Sequence, residues 1–148
     1  MSLAPQLAPR PRPQRGLSPR LRIVVADDNA DLADTLALLL SIDGHEVHCA
    51  DDGEQALALV RRLRPQVAVL DLGMPRLSGY AVAHAIRAED WGARMRLIAI
   101  TGDAAPDSAL RAAAAGFDCH LRKPVGALDL LECLAELADA GGGGGRFG

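Results

Sequence analysis

The sequence predicts an α/β fold, a parallel five-stranded sheet with helices packed on both of its faces. Two periods alternate along residues 21–140. Short β-branched apolar runs give way, five times, to segments whose apolar residues recur at helical spacing. The first, third and fourth runs are almost wholly apolar, as in strands buried on both faces of a parallel sheet. No internal repeat interrupts the alternation.

Leu21–Ala26 (LRIVVA) is the first strand and ends in acids. Leu32, Leu36, Leu39 and Leu40 then share one face of a helix that Gly44 stops. Glu46–Ala50 is the second strand. Gly53–Arg64 follows as a helix with Ala56, Leu59, Val60 and Leu63 inward, ended by Pro65. Val67–Asp71 (VAVLD) is the third strand, and Ser78–Glu89 the third helix with Val82 and Ile86 inward. Trp91, before Gly92, is placed against the end of that helix. Leu97–Thr101 (LIAIT) is the fourth strand and Pro106–Ala115 the fourth helix, with Leu110 its only large apolar anchor. So little buried area marks this helix as the element most able to move. Cys119–Arg122 is a short fifth strand, and Val125–Ala140 closes the unit with Leu130, Leu131, Leu134 and Leu137 on one side.

The flanks are of another kind. Residues 1–20 hold five prolines and four arginines with no acid. Proline at that density blocks helices and ladders, so the stretch reads as a disordered arm or an interdomain linker. Residues 141–148 form a flexible glycine-rich tail, which leaves 21–140 as the folded unit. The formal charge of −3 conceals this division, since the arm's four arginines leave −7 for the rest. Of 16 cationic residues only Lys123 is a lysine. Four charges without an aromatic residue do not make a nucleic-acid-binding domain. No apolar run approaches the roughly 20 residues of a membrane span, and the N-terminus lacks the apolar core of a secretory signal. Cys49, Cys119 and Cys133 are odd in number and lack CxxC spacing. They are expected as free thiols in a reducing compartment, which makes a cytoplasmic location the expectation.

Right-handed crossovers leave few topologies for five strand–helix pairs, and these fit the flavodoxin-like order 2-1-3-4-5, a (βα)5 three-layer sandwich. Ligands of such sheets bind beyond the carboxyl ends of the strands. Those ends hold Asp27 and Asp28, Asp71, Thr101, and Arg122-Lys123-Pro124. Gathered carboxylates raise one another's pKa unless a cation intervenes. Mg²⁺ (or Mn²⁺) suits them, being a hard cation that takes one or two carboxylates and keeps several waters. With such an ion and Lys123 the three carboxylates are neutralised, and the rim suits an incoming phosphoryl group. Asp71 is then the nucleophile, with the Thr101 hydroxyl and the Lys123 ammonium on the phosphoryl oxygens. Each residue alone has a plainer reading. Asp28 or Asn29 could cap a helix, Asp71 and Thr101 could begin turns, and Lys123 could be a solvated charge. Their coincidence on one rim favours the site.

The stretches VVADDN (24–29), VAVLDLGMPRLSGY (67–80), LIAITG (97–102) and AGFDCHLRKPV (115–125) closely resemble the receiver domain of two-component response regulators. The likeness covers about residues 21–138. It implies that Asp71 accepts a phosphoryl group from the phosphohistidine of a histidine kinase or histidine phosphotransfer domain. It further implies Mg²⁺ held by Asp27, Asp28, Asp71 and the main-chain carbonyl of Gly73. Thr101 would be the switch hydroxyl, Lys123 the cation on the phosphoryl, and Lys123–Pro124 a cis peptide. Output would pass through the helix 4–strand 5–helix 5 face to a protein partner or a second copy. The AGFDCHLRKPV stretch is most like receivers at the C-termini of hybrid sensor histidine kinases, for which the arm would be the linker. A stand-alone regulator is the other arrangement.

Some positions depart from the family pattern. His120 stands where the family has a Tyr or Phe rotamer switch. It either turns inward with Thr101 or lies exposed on a strand edge, and it can titrate near neutral pH. Gly73 offers no side chain over the phosphoryl, while Asp103 adds an acid near Thr101, with opposed influences on phosphoryl lifetime. A phosphatase working through an aspartyl phosphate would need a second acid where Gly73 stands. A nucleotide-binding module would need a GxGxxG or P-loop motif, which the sequence lacks. A receiver-like module that is never phosphorylated would have no use for this full set of rim residues.

Overall fold

The structure is a computed structural model that describes residues 20–102 and 107–140, with side chains as far as 137. The expected arm, apart from Arg20, the expected tail and Asp103 lie outside the described residues.

Five strands form one parallel sheet: β1 (Arg22–Ala26), β2 (Glu46–Ala50), β3 (Val67–Asp71), β4 (Arg96–Thr101) and β5 (Cys119–Arg122). Their order is β2-β1-β3-β4-β5, the flavodoxin-like order expected from the sequence. The helices are α1 (Ala30–Ile42), α2 (Gly53–Leu63), α3 (Gly79–Arg87), α4 (Ser108–Ala115) and α5 (Ala127–Ala140). A short 3-10 turn, Asp90–Gly92, precedes β4 and was not expected.

Successive strand residues face opposite sides, so the continuous apolar runs serve two cores. Val24, Ala68, Leu70, Leu97 and Ala99 pack against α2, α3 and α4. Ile23, Val25, Val69, Ile98 and Ile100 pack against α1 and α5. Side-chain caps start the first three helices where the chain leaves the sheet rim. Asn29 accepts from the Leu32 N–H, Asp52 from Gln55 and Ser78 from Ala81. At the other end α2 stops on Arg64 in the left-handed region (φ 48°), just before Pro65. Trp91 is half-buried, as expected, with the Arg64 guanidinium carbon 4.7 Å from its ring centroid.

Two expectations fail. Leu110 does not anchor α4, since it is 74% exposed while Ser108 and Ala112 are buried. Residues four apart share a helix face, and Leu110 lies between them on the far side. The helix is instead tied to α3 by Arg111, whose guanidinium carbon sits 4.4 Å from the Tyr80 ring centroid. Nor are all three cysteines free thiols: Cys119 of β5 and Cys133 of α5 form a disulfide, and only Cys49 is free. Both bonded residues belong to the core between the sheet and α5, so packing brings together two sulfurs that are 14 residues apart in sequence.

Arg87, the last residue of α3, organises the chain around it. Its Nε and one terminal nitrogen donate to the Gly116 carbonyl at 2.9 and 2.8 Å. The other terminal nitrogen donates to the carbonyls of Gly92, Ala93 and Met95 at 2.8, 3.2 and 2.6 Å. Asp118 accepts from the same guanidinium at 3.0 Å and from the Leu97 N–H at 2.9 Å. Only a planar fork reaches all these acceptors at once. Arg87→Lys is therefore expected to cost about 2 kcal/mol, since half-buried carbonyls lose their donors. Urea unfolding checks this, with a lowered midpoint and an unchanged slope expected.

Candidate functional site

All five strands run the same way, so their carboxyl ends share one rim. Asp71 is the last residue of β3 and is buried, with the Gly73 N–H donating to its Oδ1 at 3.1 Å. Asp27 follows β1 directly and is fully buried. Its Oδ1 accepts the Asn29 N–H at 2.8 Å. Asn29 thus has two roles, orienting Asp27 through its backbone while its side chain caps α1. The alternative that Asp28 is the cap is thereby excluded, and Asp28 stays exposed. One carboxylate oxygen each from Asp27, Asp28 and Asp71 lie within 4.8 Å of one another.

Lys123 follows β5 and reaches across the rim. Its Nζ stands 3.0 Å from Asp27 Oδ2 and 3.4 Å from Asp71 Oδ2. Its backbone N–H donates to the Thr101 carbonyl at 2.8 Å, which ties the lysine to the end of β4. The Lys123–Pro124 peptide is cis. Thr101, the last residue of β4, is buried beside this contact. Gly79 lets α3 begin hard against β3, because a Cβ there would come within 2.5 Å of the Asp71 carbonyl. Gly73 is exposed, and a Cβ on it would meet nothing nearer than Asp71 Oδ1 at 4.0 Å. A side chain at position 73 would therefore have room beside Asp71.

His120 is not part of this cluster. Its ring is half-buried, so it is not simply an exposed edge residue, and Nε2 makes a long contact of 3.5 Å with Ser108 Oγ at the start of α4. Burial, then the charge of Arg122, push its imidazole below the usual value and keep it neutral at pH 7. The expectation that it titrates near neutrality is shifted to lower pH. His45 and His48 serve local structure, facing Asp43 and Glu46 at 3.1 and 2.8 Å.

Electrostatics set the character of the rim. Burial raises the Asp71 carboxyl above its ordinary value, and the Asp27 charge raises it further against the pull of the Gly73 N–H and Lys123. Burial alone would lower the Lys123 ammonium, but Asp27 and Asp71 beside it carry it above the usual lysine value. Three carboxylates face one ammonium, and buried Asp27 Oδ2 has no hydrogen bond directed at it, only the ion-pair contact with Lys123. An acceptor left so, beside two further carboxylate oxygens, fits a hard divalent cation of the Mg²⁺ type.

Proteins similar to this chain are known by sequence and by structure. The response regulator receiver domain family matches residues 23–135. An uncharacterised 14.6 kDa protein of Leptolyngbya boryana is 32% identical over 126 residues, 82% of this chain and 96% of its own length. The response regulator receiver protein Anae109_2439 of Anaeromyxobacter is 37% identical over 111 residues, but this chain spans only 46% of it. Among solved structures, the chemotaxis response regulator CheY4 of Vibrio cholerae superposes with a TM-score of 0.75 at 25% identity, covering 80% of this chain and 99% of that one. The receiver domain of the sensor histidine kinase PA1611 of Pseudomonas aeruginosa, whose structure has a magnesium ion in its active-site cleft, gives 0.75 at 27% identity and covers 82% and 99%.

Asp71 is held at a cost to stability. Its folded pKa lies above its unfolded value, so the destabilisation is absent below the unfolded value, grows as the pH rises toward the folded value, and is complete above it. In chelator, Asp71→Asn is expected to stabilise the protein by about 1 kcal/mol at pH 7. Thermal melts should show a gain of about 4 °C at pH 7 that disappears near pH 3.

Proposed function

The chain belongs to the response regulator receiver family, and on that premise we propose that it is a phospho-accepting switch of a two-component phosphorelay. The observation that carries the reading is the meeting of Asp27, Asp28 and Asp71 under the single ammonium of Lys123. Asp71 Oδ would attack the phosphorus of a phosphohistidine on a histidine kinase or histidine phosphotransfer domain. A P–O bond forms, the P–N bond breaks, and the imidazole leaves with the electron pair and takes up a proton. Asp27, Asp28, Asp71 and the Gly73 carbonyl would hold Mg²⁺ (or Mn²⁺), which when bound draws negative charge from the phosphoryl oxygens.

The chain's own residues do the remaining work. Asn29 and Gly73 N–H groups hold the two carboxylates in place. Lys123 would leave Asp71 for a phosphoryl oxygen, and the Thr101 hydroxyl would take another. Phosphorylation adds about −1.5 to −2 of charge at the end of β3. Thr101 and Lys123 lie at the ends of β4 and β5, so their response would bias the α4–β5–α5 face toward a protein partner or a second copy. His120, on β5 with its ring against the start of α4, would adjust with them. The reading places the chain in the cytoplasm, where a kinase presents phosphohistidine. Among the described residues no helix is long and apolar enough to cross a membrane.

Incubation with acetyl phosphate and Mg²⁺ followed by intact-mass analysis tests this. The wild-type chain is expected to gain one phosphoryl group, and Asp71→Asn none. A modified Asp71→Asn protein, or an adduct indifferent to chelator, would overturn the reading. Lys123→Arg separates chemistry from switching, because a planar fork cannot occupy the compact position between two carboxylates and a phosphoryl. It should fold, with a melting point within a few degrees of wild type, yet lose the beryllofluoride-induced amide shifts of α4 and β5 in NMR spectra.

A further inference from the structure

The pole opposite Asp71 has its own chemistry. There the amino ends of β1, β3 and β4 open onto two adjoining cavities of about 400 and about 260 Å³, both bordered by Leu21 and Gln66. The larger falls within the size of ordinary ligand cavities, roughly 300–1,000 Å³. Its walls are apolar, formed by Trp91, Met95, Leu134 and Leu137. Its surroundings are cationic. Arg94 and Arg96 line the larger cavity, and Arg20, Arg22 and Arg64 the smaller, against the single acid Glu46. Glu46 is already engaged by Arg22 at 3.1 Å and His48 at 2.8 Å. Arg20 and Arg94 have no acidic partner among the described residues, and Arg64 stacks on Trp91 at the mouth. In a chain whose residues 21–148 sum to −7, this is a local reversal of sign.

We propose that this floor is a docking site for an acidic peptide segment of a protein partner. One bulky apolar side chain would enter the larger cavity beside Trp91, and carboxylates on either side of it would meet Arg20, Arg64 and Arg94. Charge complementarity selects the occupant. The chain's own ends carry the wrong sign, since residues 1–19 hold Arg10, Arg12 and Arg15, and residues 141–148 hold Arg146, with no acid in either. A flat bilayer is a poor fit because Met95, Leu134 and Leu137 are recessed, each no more than 5% exposed. A nucleic-acid backbone would meet the arginines but leave the apolar cavity unfilled. Val67 borders the cavity and opens β3, which Asp71 closes. At about 3.3 Å per residue the two sites are about 13 Å apart, so both can be engaged at once.

Trp91 is the chain's only tryptophan, so its emission reports on this cavity directly. The full chain is titrated with the acetylated, amidated peptide Asp-Glu-Leu-Phe-Glu-Asp-Leu. A saturable change in emission is expected, weakening as salt is raised. The double variant Arg64→Glu/Arg94→Glu, both positions being exposed and its fold checked by circular dichroism, should bind about tenfold more weakly or worse. Replacing Leu and Phe of the peptide by Ser should weaken binding similarly, while Asp71→Asn should leave it unchanged. The proposal is overturned by no saturable change, by equal binding of a peptide with Lys at the acidic positions, or by undiminished binding to the double variant. A response to phosphatidylglycerol vesicles or to a short DNA duplex, with none to the acidic peptide, overturns it as well.

Discussion

Two buried carboxylates at the ends of neighbouring parallel strands repel each other, and much of the molecule is arranged around that repulsion. Parallel topology makes the encounter unavoidable, because Asp27 and Asp71 leave β1 and β3 on the same side of the sheet. Backbone N–H groups of Asn29 and Gly73 take one oxygen of each. The remaining oxygens face Lys123, the one lysine in an arginine-rich chain. A compact ammonium can sit between two carboxylates and withdraw when another anion or cation arrives, whereas a bidentate fork would hold one of them fast. The sheet's two cores keep water from beneath the rim and so sharpen each of these interactions.

Much of this was legible in the sequence because parallel strands give an unusually plain signal. The bounds of β3 fall where the apolar run does, since a strand buried on both faces has no polar residue to blur its ends. The gathering of Asp27, Asp28, Asp71, Thr101 and Lys123 then follows from topology alone. Helix faces were harder to read. In α4 the run of alanines carries almost no amphipathic signal, and the one large residue, Leu110, turned out to face solvent. The helical pattern runs two residues past the end of α3 because nothing in it shows that Arg87 gathers the following turn. An arginine in a last turn reads as a cation near a helix dipole, and its carbonyl partners are backbone atoms that no sequence pattern names. The cysteine count misled for a related reason. An odd total says nothing about which two side chains a strand and a helix will bring together.

The two poles of the sheet carry opposite charge for a structural reason. Carboxylates collect at the carboxyl ends, while Arg22, Arg94 and Arg96 lie at or just before the amino ends of β1 and β4. With the apolar residues confined between them, the fold separates its acidic and basic surfaces by the length of a strand.

The way α4 is held has a mechanical consequence. Its carboxyl end is fastened firmly, with the Gly116 carbonyl gripped twice by Arg87. Midway, Arg111 rests on Tyr80, a softer contact. Among the described residues its amino end has the long Ser108–His120 contact and a buried serine. A rod fastened at one end swings rather than slides. Eight residues make α4 about 12 Å long, so a swing of about ten degrees about Gly116 carries Ser108 through about 2 Å. On the proposed reading, leverage of this kind would turn a small adjustment beside Thr101 and His120 into a larger displacement of α4, with the rest of the sheet left still.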